Sequence, residues 1–185
     1  MPLRFISSSR YPALLLSLVI ALATQAATAS GADYQHSLSS GKMTFDWSVA
    51  GETLAVRLTA PTKGWLGIGF NPSKQMKDAD FVVGYVKKGK VAIFDEVGTQ
   101  ATRHGKDKKK GGQDNVTLVG GSEQGKSTTL EFTIPLNSGD QLDSSLDPAA
   151  DTVVLLAYGP DRDSTRMKHV YQARLVVNLS SGAVK

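Results

Sequence analysis

The 185-residue chain contains no cysteine. That absence rules out disulfides, iron–sulfur clusters, thiolate zinc sites, thiol nucleophiles, a lipid-modified leader cysteine and covalent c-type haem attachment. A domain of this size without disulfides must draw its stability from its core alone. Histidine is nearly as scarce, with only His36, His104 and His169. None falls in a zinc-binding spacing or an HExxH pattern, and there is no nucleophile elbow, so a hydrolase has no support. Beyond residue 29 no apolar run approaches the roughly 18–20 residues of a membrane span. Nor does any long stretch carry the 3.6-residue apolar period of a helix.

What is present begins with Arg4 and Arg10, an apolar stretch from Tyr11 to Ala23 and the small-residue triplet Ala27-Thr28-Ala29. This is the pattern of a secretory signal peptide, with cleavage expected after Ala29. Residues 30–185 then form one domain, exported to the periplasm or secreted, with no stable membrane span after cleavage. Two of the 21 Lys+Arg residues go with the leader, against 17 Asp+Glu, so the formal charge falls from +4 to +2. The remaining basicity gathers in Lys106, Lys108, Lys109 and Lys110, which read as an exposed loop. A nearly neutral exported domain makes nucleic acid an improbable partner. The lysines instead suit steering of an acidic redox partner.

Short runs rich in Val, Ile, Thr, Phe and Trp alternate with Gly, Asp, Asn and Pro clusters, which predicts an all-β chain. The expected strands are Met43–Val49, Thr53–Ala60, Trp65–Phe70, Asp80–Lys87, Lys90–Glu96, Asn115–Val119, Thr128–Ile134, Thr152–Tyr158 and Lys168–Asn178. In the first, Met43, Phe45, Trp47 and Val49 share an apolar face, leaving Thr44, Asp46 and Ser48 toward water. Ala50-Gly51-Glu52 and Lys87–Lys90 read as hairpin turns. A long irregular crossover is expected before Thr152. Nine short strands so connected suit a two-sheet sandwich.

Met76 stands out, a thioether amid Pro72, Ser73, Lys74, Gln75, Lys77 and Asp78. It buries little unless something apolar or metallic lies opposite it, and Met with His is one of the ligand pairs of haem iron. The run Gly64-Trp65-Leu66-Gly67-Ile68-Gly69-Phe70-Asn71, the Met76 loop, Ala79 to Tyr85, Leu130 to Leu136, and Ala157-Tyr158-Gly159 before His169 together resemble a DOMON domain. The resemblance runs from about Tyr34 to Leu179 and implies an immunoglobulin-like two-sheet β-sandwich.

DOMON domains include haem-binding and haem-free, sugar-binding members, so the fold alone does not set the function. In the cytochrome branch, typified by the haem domain of cellobiose dehydrogenase, a loop Met and a late His coordinate haem b; here those positions hold Met76 and His169. A related branch pairs Met with Lys, which keeps Lys168 in view. The resemblance therefore implies a non-covalent haem b with both axial positions filled by protein, which suits single-electron transfer rather than catalysis. Its partner would be a dehydrogenase or a membrane cytochrome. The alternatives are a haem-free carbohydrate- or small-ligand-binding module and a haem subunit of a larger exported oxidoreductase.

Trp65, Tyr85 and Tyr171 are the candidate pocket walls. Met167, His169 and Tyr171 share a face by period-two counting, making Met167 a reserve sulfur ligand. His36 and His104 read as exposed, and Asp161-Arg162-Asp163-Ser164 as a turn rather than a calcium loop.

Overall fold

The computed structural model describes Met1 and residues 33–185. The expected leader, residues 1–29, lies outside the described residues but for Met1. The unit Asp33–Lys185 contains β1 (His36–Ser40), β2 (Met43–Ala50), β3 (Thr53–Ala60), β4 (Leu66–Phe70), β5 (Asp80–Lys87), β6 (Lys90–Gln100), β7 (Arg103–Lys106), β8 (Thr117–Gln124), β9 (Ser127–Pro135), β10 (Asp151–Tyr158) and β11 (Tyr171–Asn178). One 3-10 turn, Asp107–Lys109, follows β7. Among the described residues no helix is long and apolar enough to cross a membrane.

All strand pairs are antiparallel and form two sheets, one ordered β1-β2-β3-β9-β8 and the other β11-β10-β4-β5-β6-β7. This is the two-sheet sandwich that the strand pattern predicts. Both expected hairpins form, and Gly51, Lys88 and Gly89 supply the positive φ that such tight turns need (59°, 51° and 74°). The crossover from β9 to β10 is irregular, and Leu146 anchors it in the core.

Phe45, Trp47, Leu54, Val56, Leu58, Phe132, Leu66, Ile68, Phe70, Val154 and Leu156 are buried between the sheets. Apolar burial of this kind is the main favourable term for a chain without cross-links. In β2 the expected polar face is only half right: Thr44 and Ser48 are partly exposed, but Asp46 is buried. Arg57 on β3 covers it, donating from Nε to Asp46 Oδ2 at 2.8 Å.

Two strands have no counterpart in the expected set. β1 and β7 sit at the edges of their sheets, where one neighbour suffices and no apolar face is required. β11 begins at Tyr171, so residues 168–170 form a connecting segment rather than a strand.

Candidate functional site

The site lies on the outward side of the six-stranded sheet. In β4, Leu66, Ile68 and Phe70 point into the sandwich, so alternation turns Gly67 and Gly69 outward. The glycines leave the sheet bare there. Phe81 uses the space: a Cβ on Gly69 would fall 2.3 Å from its ring. Phe81 and Val83 of β5 and Ala79 form a small second apolar cluster with Trp65, and Met76, Tyr85, Leu155 and Ala157 pack against it.

Over this cluster opens a cavity of about 830 Å³, lined among others by Trp65, Gly67, Met76, Phe81, Val83, Leu155, Ala157, His104 and His169. Such a volume is in the range of small-molecule and cofactor sites.

Met76 is presented by a loop held at several points. Met76 N–H donates to the Ala101 carbonyl at 3.2 Å, and Asp78 N–H to that of Gly98 at 2.7 Å. Ser73 Oγ donates to Asp78 Oδ2 at 2.5 Å, and Lys77 Nζ to the same oxygen at 3.0 Å. Asn71, Gln75 and Asp78 adopt positive φ (47°, 53° and 60°), costly for residues with side chains and kept by the surrounding bonds. Gly98 is obligatory here. A Cβ on it would lie 1.7 Å from the Met76 carbonyl oxygen.

His169 comes from the segment joining β10 to β11. Its turn is built as the sequence suggests: Asp161 Oδ1 accepts from Lys63 N–H at 2.9 Å and from Thr62 Oγ1 at 3.2 Å. Trp65 ties the segment down, its indole N–H donating to the Met167 carbonyl at 3.0 Å. Val170 N–H donates to the Tyr158 carbonyl at 2.9 Å. Burial pushes the His169 imidazole below its ordinary value, and the neighbouring charges of Lys168 and His104 push the same way. The neutral form, with a free nitrogen lone pair, is thereby favoured.

Arg166 and Lys168 from this segment, with Arg174 of β11, put three cationic groups on the cavity's lining, and Met167 lies between the first two. His104 is the residue that sequence reasoning missed. It lies on β7, partly buried beside the Phe81 ring (centroids 5.3 Å apart), with Nδ1 against Oε2 of the buried Glu96. The signal available was thin: one His within Arg103–Lys106, with no apolar neighbour to reveal a strand.

Of the expected residues, Met76, His169 and Trp65 come together in the cavity, with Lys168 and Met167 beside them. Tyr85 and Tyr171 do not line it. Tyr85 is on the outward side but further along β5, near Phe94 (centroids 6.2 Å). Tyr171 faces the opposite way: it stacks on Tyr158 (5.2 Å), packs against the inner core and donates from its hydroxyl to Ser40 Oγ at 2.8 Å. Because β11 starts only at Tyr171, the period-two link from Met167 through His169 does not reach it. The lysine run also differs from a plain loop. Lys106 ends β7 with Nζ 3.7 Å from the centre of the Phe94 ring, and Asp107 is buried. His36 is half-buried rather than exposed, its Nε2 2.9 Å from the Ser180 carbonyl.

The fold has known counterparts. The cytochrome b domain of pyranose dehydrogenase from Coprinopsis cinerea superposes with a TM-score of 0.56 at 13% identity, over 76% of this chain and 78% of that one. The cytochrome domain of Myriococcum thermophilum cellobiose dehydrogenase gives 0.58 at 13% identity, over 80% and 83%. At such identity the likeness is one of fold. In sequence, DBH-like monooxygenase protein 1 from Homo sapiens is 33% identical over 147 residues, covering 78% of this chain and 23% of the relative. Its Mus musculus counterpart is 32% identical over 158 residues, covering 84% and 25%. The chain thus spans about a quarter of the length of these relatives. The DOMON domain pattern matches residues 39–159, which takes in Met76 and stops short of His169. The chain belongs to the DOMON domain family.

Proposed function

We propose that this domain binds a b-type haem non-covalently in the outward cavity, with Met76 and His169 as the axial ligands, and carries single electrons. The observation that carries the reading is that Met76 and His169, from distant parts of the sequence, line one cavity. The side chains fit such a group in kind. A thioether and a neutral imidazole are haem-iron ligands. Trp65, Phe81, Val83, Leu155 and Ala157 offer apolar walls, and Gly67 leaves room at the floor. Arg166, Lys168 and Arg174 are suited to anchor carboxylate substituents.

A bound haem would supply one reversible electron at iron. The chain's own contribution would be to hold the iron through Met76 and His169, a ligand pair that suits electron transfer and whose neutral sulfur would favour the reduced state. The positive rim suits an acidic redox partner. The leader pattern of residues 1–29 supports export, to the periplasm or outside the cell.

The test is the spectrum of protein produced with ample haem. A sharp, low-spin b-type spectrum is expected; Met76→Leu and His169→Ala should each convert it to a high-spin form or lose pigment. His104→Ala should keep the low-spin spectrum, and Lys168→Ala likewise. Protein that stays colourless with added haem overturns the reading, and a low-spin spectrum lost in His104→Ala but kept in His169→Ala moves the ligand.

A second reading is favoured by the relatives named as monooxygenases, of which this chain matches about a quarter. The domain would then be a ligand-binding module serving a larger oxidoreductase, and the cavity would take a small organic ligand without iron.

A further inference from the structure

The inner side of the six-stranded sheet changes character at one end. Along β5 the inward row runs Val86, Gly84, Val82 and then Asp80; along β6 it runs Val91, Ile93 and then Asp95, which pairs with Val82. Two carboxylates thus continue a hydrophobic row, and they are only 6% and 3% exposed. Asp107, from the 3-10 turn, reaches the same place and is 1% exposed. The crossover adds Asp140 and Asp143.

The five form two overlapping triads. Ligand oxygens of Asp80, Asp95 and Asp143 lie within 4.8 Å of one another, as do those of Asp107, Asp140 and Asp143. Asp143 belongs to both. Backbone N–H groups orient several of these carboxylates: Asn115 N–H donates to Asp95 Oδ2 at 2.6 Å, Gln113 N–H to Asp140 Oδ2 at 2.6 Å, Leu142 N–H to Asp140 Oδ1 at 2.9 Å and Ser144 N–H to Asp80 Oδ2 at 3.3 Å.

Other oxygens there have no partner. Both carboxylate oxygens of Asp107 are buried without a hydrogen bond, and so are Asp143 Oδ1 and the Asn115 side-chain carbonyl. Nor does a cation answer them. Among the described residues the ion pairs of the chain involve none of the five, and Lys108, next to Asp107, turns away to Asp114 at 2.5 Å. Gathering this many carboxylates out of water with no counter-charge is costly enough that a cation or protons must complete the cluster.

We infer that Asp80, Asp95, Asp107, Asp140 and Asp143 form a divalent-cation site of the calcium class, with Asp143 the shared ligand and Asp107 free to bind through both oxygens. The donors are all hard oxygens, with no nitrogen or sulfur among them, which selects calcium, magnesium or manganese over zinc or copper. Each triad brings three carboxylates together, up to six oxygens where each binds through both, which meets the lower end of the six to eight that calcium takes; magnesium holds its waters and uses one or two carboxylates. The site joins the start of β5, the middle of β6, the 3-10 turn after β7 and the crossover. Asp80 follows directly on the Met76 loop, so a cation there braces the strands from which that loop and His104 are presented.

The alternative is proton sharing, with Asp107 and Asp143 held together by one hydrogen. The experiment uses the intact chain treated with EDTA, dialysed, and titrated with calcium chloride alone by calorimetry, with thermal unfolding followed in parallel. Saturable binding and a higher Tm with calcium are expected, with magnesium weaker, and Asp143→Asn should weaken calcium affinity by about tenfold or more. Absence of saturable heat up to about 10 mM calcium, with one Tm in EDTA and in calcium, overturns the site in favour of shared protons. Preference for magnesium overturns the calcium assignment. If Asp143→Asn does not fold, Asp107→Asn serves in its place, and unchanged affinity in a folded variant also overturns the site. None of these readouts involves haem, so they stand apart from the test of the cavity.

Discussion

The two sides of the six-stranded sheet use the same strands for opposite ends. Inward, β4 presents Leu66, Ile68 and Phe70, all fully buried against the other sheet. Outward, the same strand presents Gly67 and Gly69, and space is left instead of filled. The inner side is close-packed, where every methylene counts toward stability. The outer side keeps a cavity that an ordinary core would have collapsed, held open by Trp65, by the bonded Met76 loop and by the 160–170 segment. The difference shows how a single alternating pattern, GWLGIGF, can turn Leu66, Ile68 and Phe70 to the core and leave Trp65 and Gly67 on an open cavity.

The sharpest way to break that comparison is to truncate the inner side. Phe70→Ala should cost about 3–5 kcal/mol of stability, through lost burial and the cavity left behind. Chemical denaturation measures it. If the domain holds haem as proposed, the folded fraction should still take it up, because Phe70 does not line the outer cavity. A variant of normal stability would show that the inner side is loosely packed and that the contrast is false.

Between these two sides stands the acidic cluster, buried like the core but not apolar. Burial first, and then the neighbouring carboxylates, push Asp80 well above the ordinary aspartate value, Asp95 to about 6 and Asp107 to about 7; Asp143 is raised as well. Over the interval from the ordinary 3.8 up to about 7 the folded, cation-free chain therefore holds protons that the unfolded chain has released. Stability must fall as pH rises through this interval. In EDTA, denaturation midpoints should drop between about pH 4 and pH 7. The groups facing the cluster are Asp80, Asp95, Asp107, Asp140 and Asp143, with Asp114 engaged by Lys108 at its margin. Flat stability across the interval would mean that these carboxylates are far better solvated than their burial implies.

The sequence carried the apolar strands well, because each has an inward face to declare it: Thr53–Ala60 and Asp80–Lys87 coincide with β3 and β5. Edge strands were the blind spot. β1, His36–Ser40, has one large apolar residue and β7, Arg103–Lys106, has none, so neither shows alternation; backbone pairing alone makes them strands. That is why His104 read as exposed and the structure puts it on the cavity. Met76 was legible as a thioether with no local use. Tyr171 was not, because its direction depends on where β11 begins, and period counting fails across a segment that is not a strand. The acidic site had a signal that went unread: Asp80 and Asp95 each occupy an inward position of an otherwise apolar row.

The smallest stability change should accompany the largest change in binding. Gly67 faces the cavity, and a Cβ there would meet Trp65 and Val83 at 3.4 Å, which is ordinary contact. The backbone can therefore carry a side chain, and Gly67→Val should leave the denaturation midpoint nearly where it is, the more so because β-branched residues suit strands. Its methyl groups, however, project into the space at the floor of the cavity. Haem uptake, read from the reduced-minus-oxidised spectrum per mole of folded protein, should fall sharply. If uptake is unimpaired while stability holds, the ligand does not sit against β4, and the outward glycines serve only the Phe81 ring. If instead the variant unfolds, the outer side is packed as tightly as the inner one, and the division of labour between the two faces is lost.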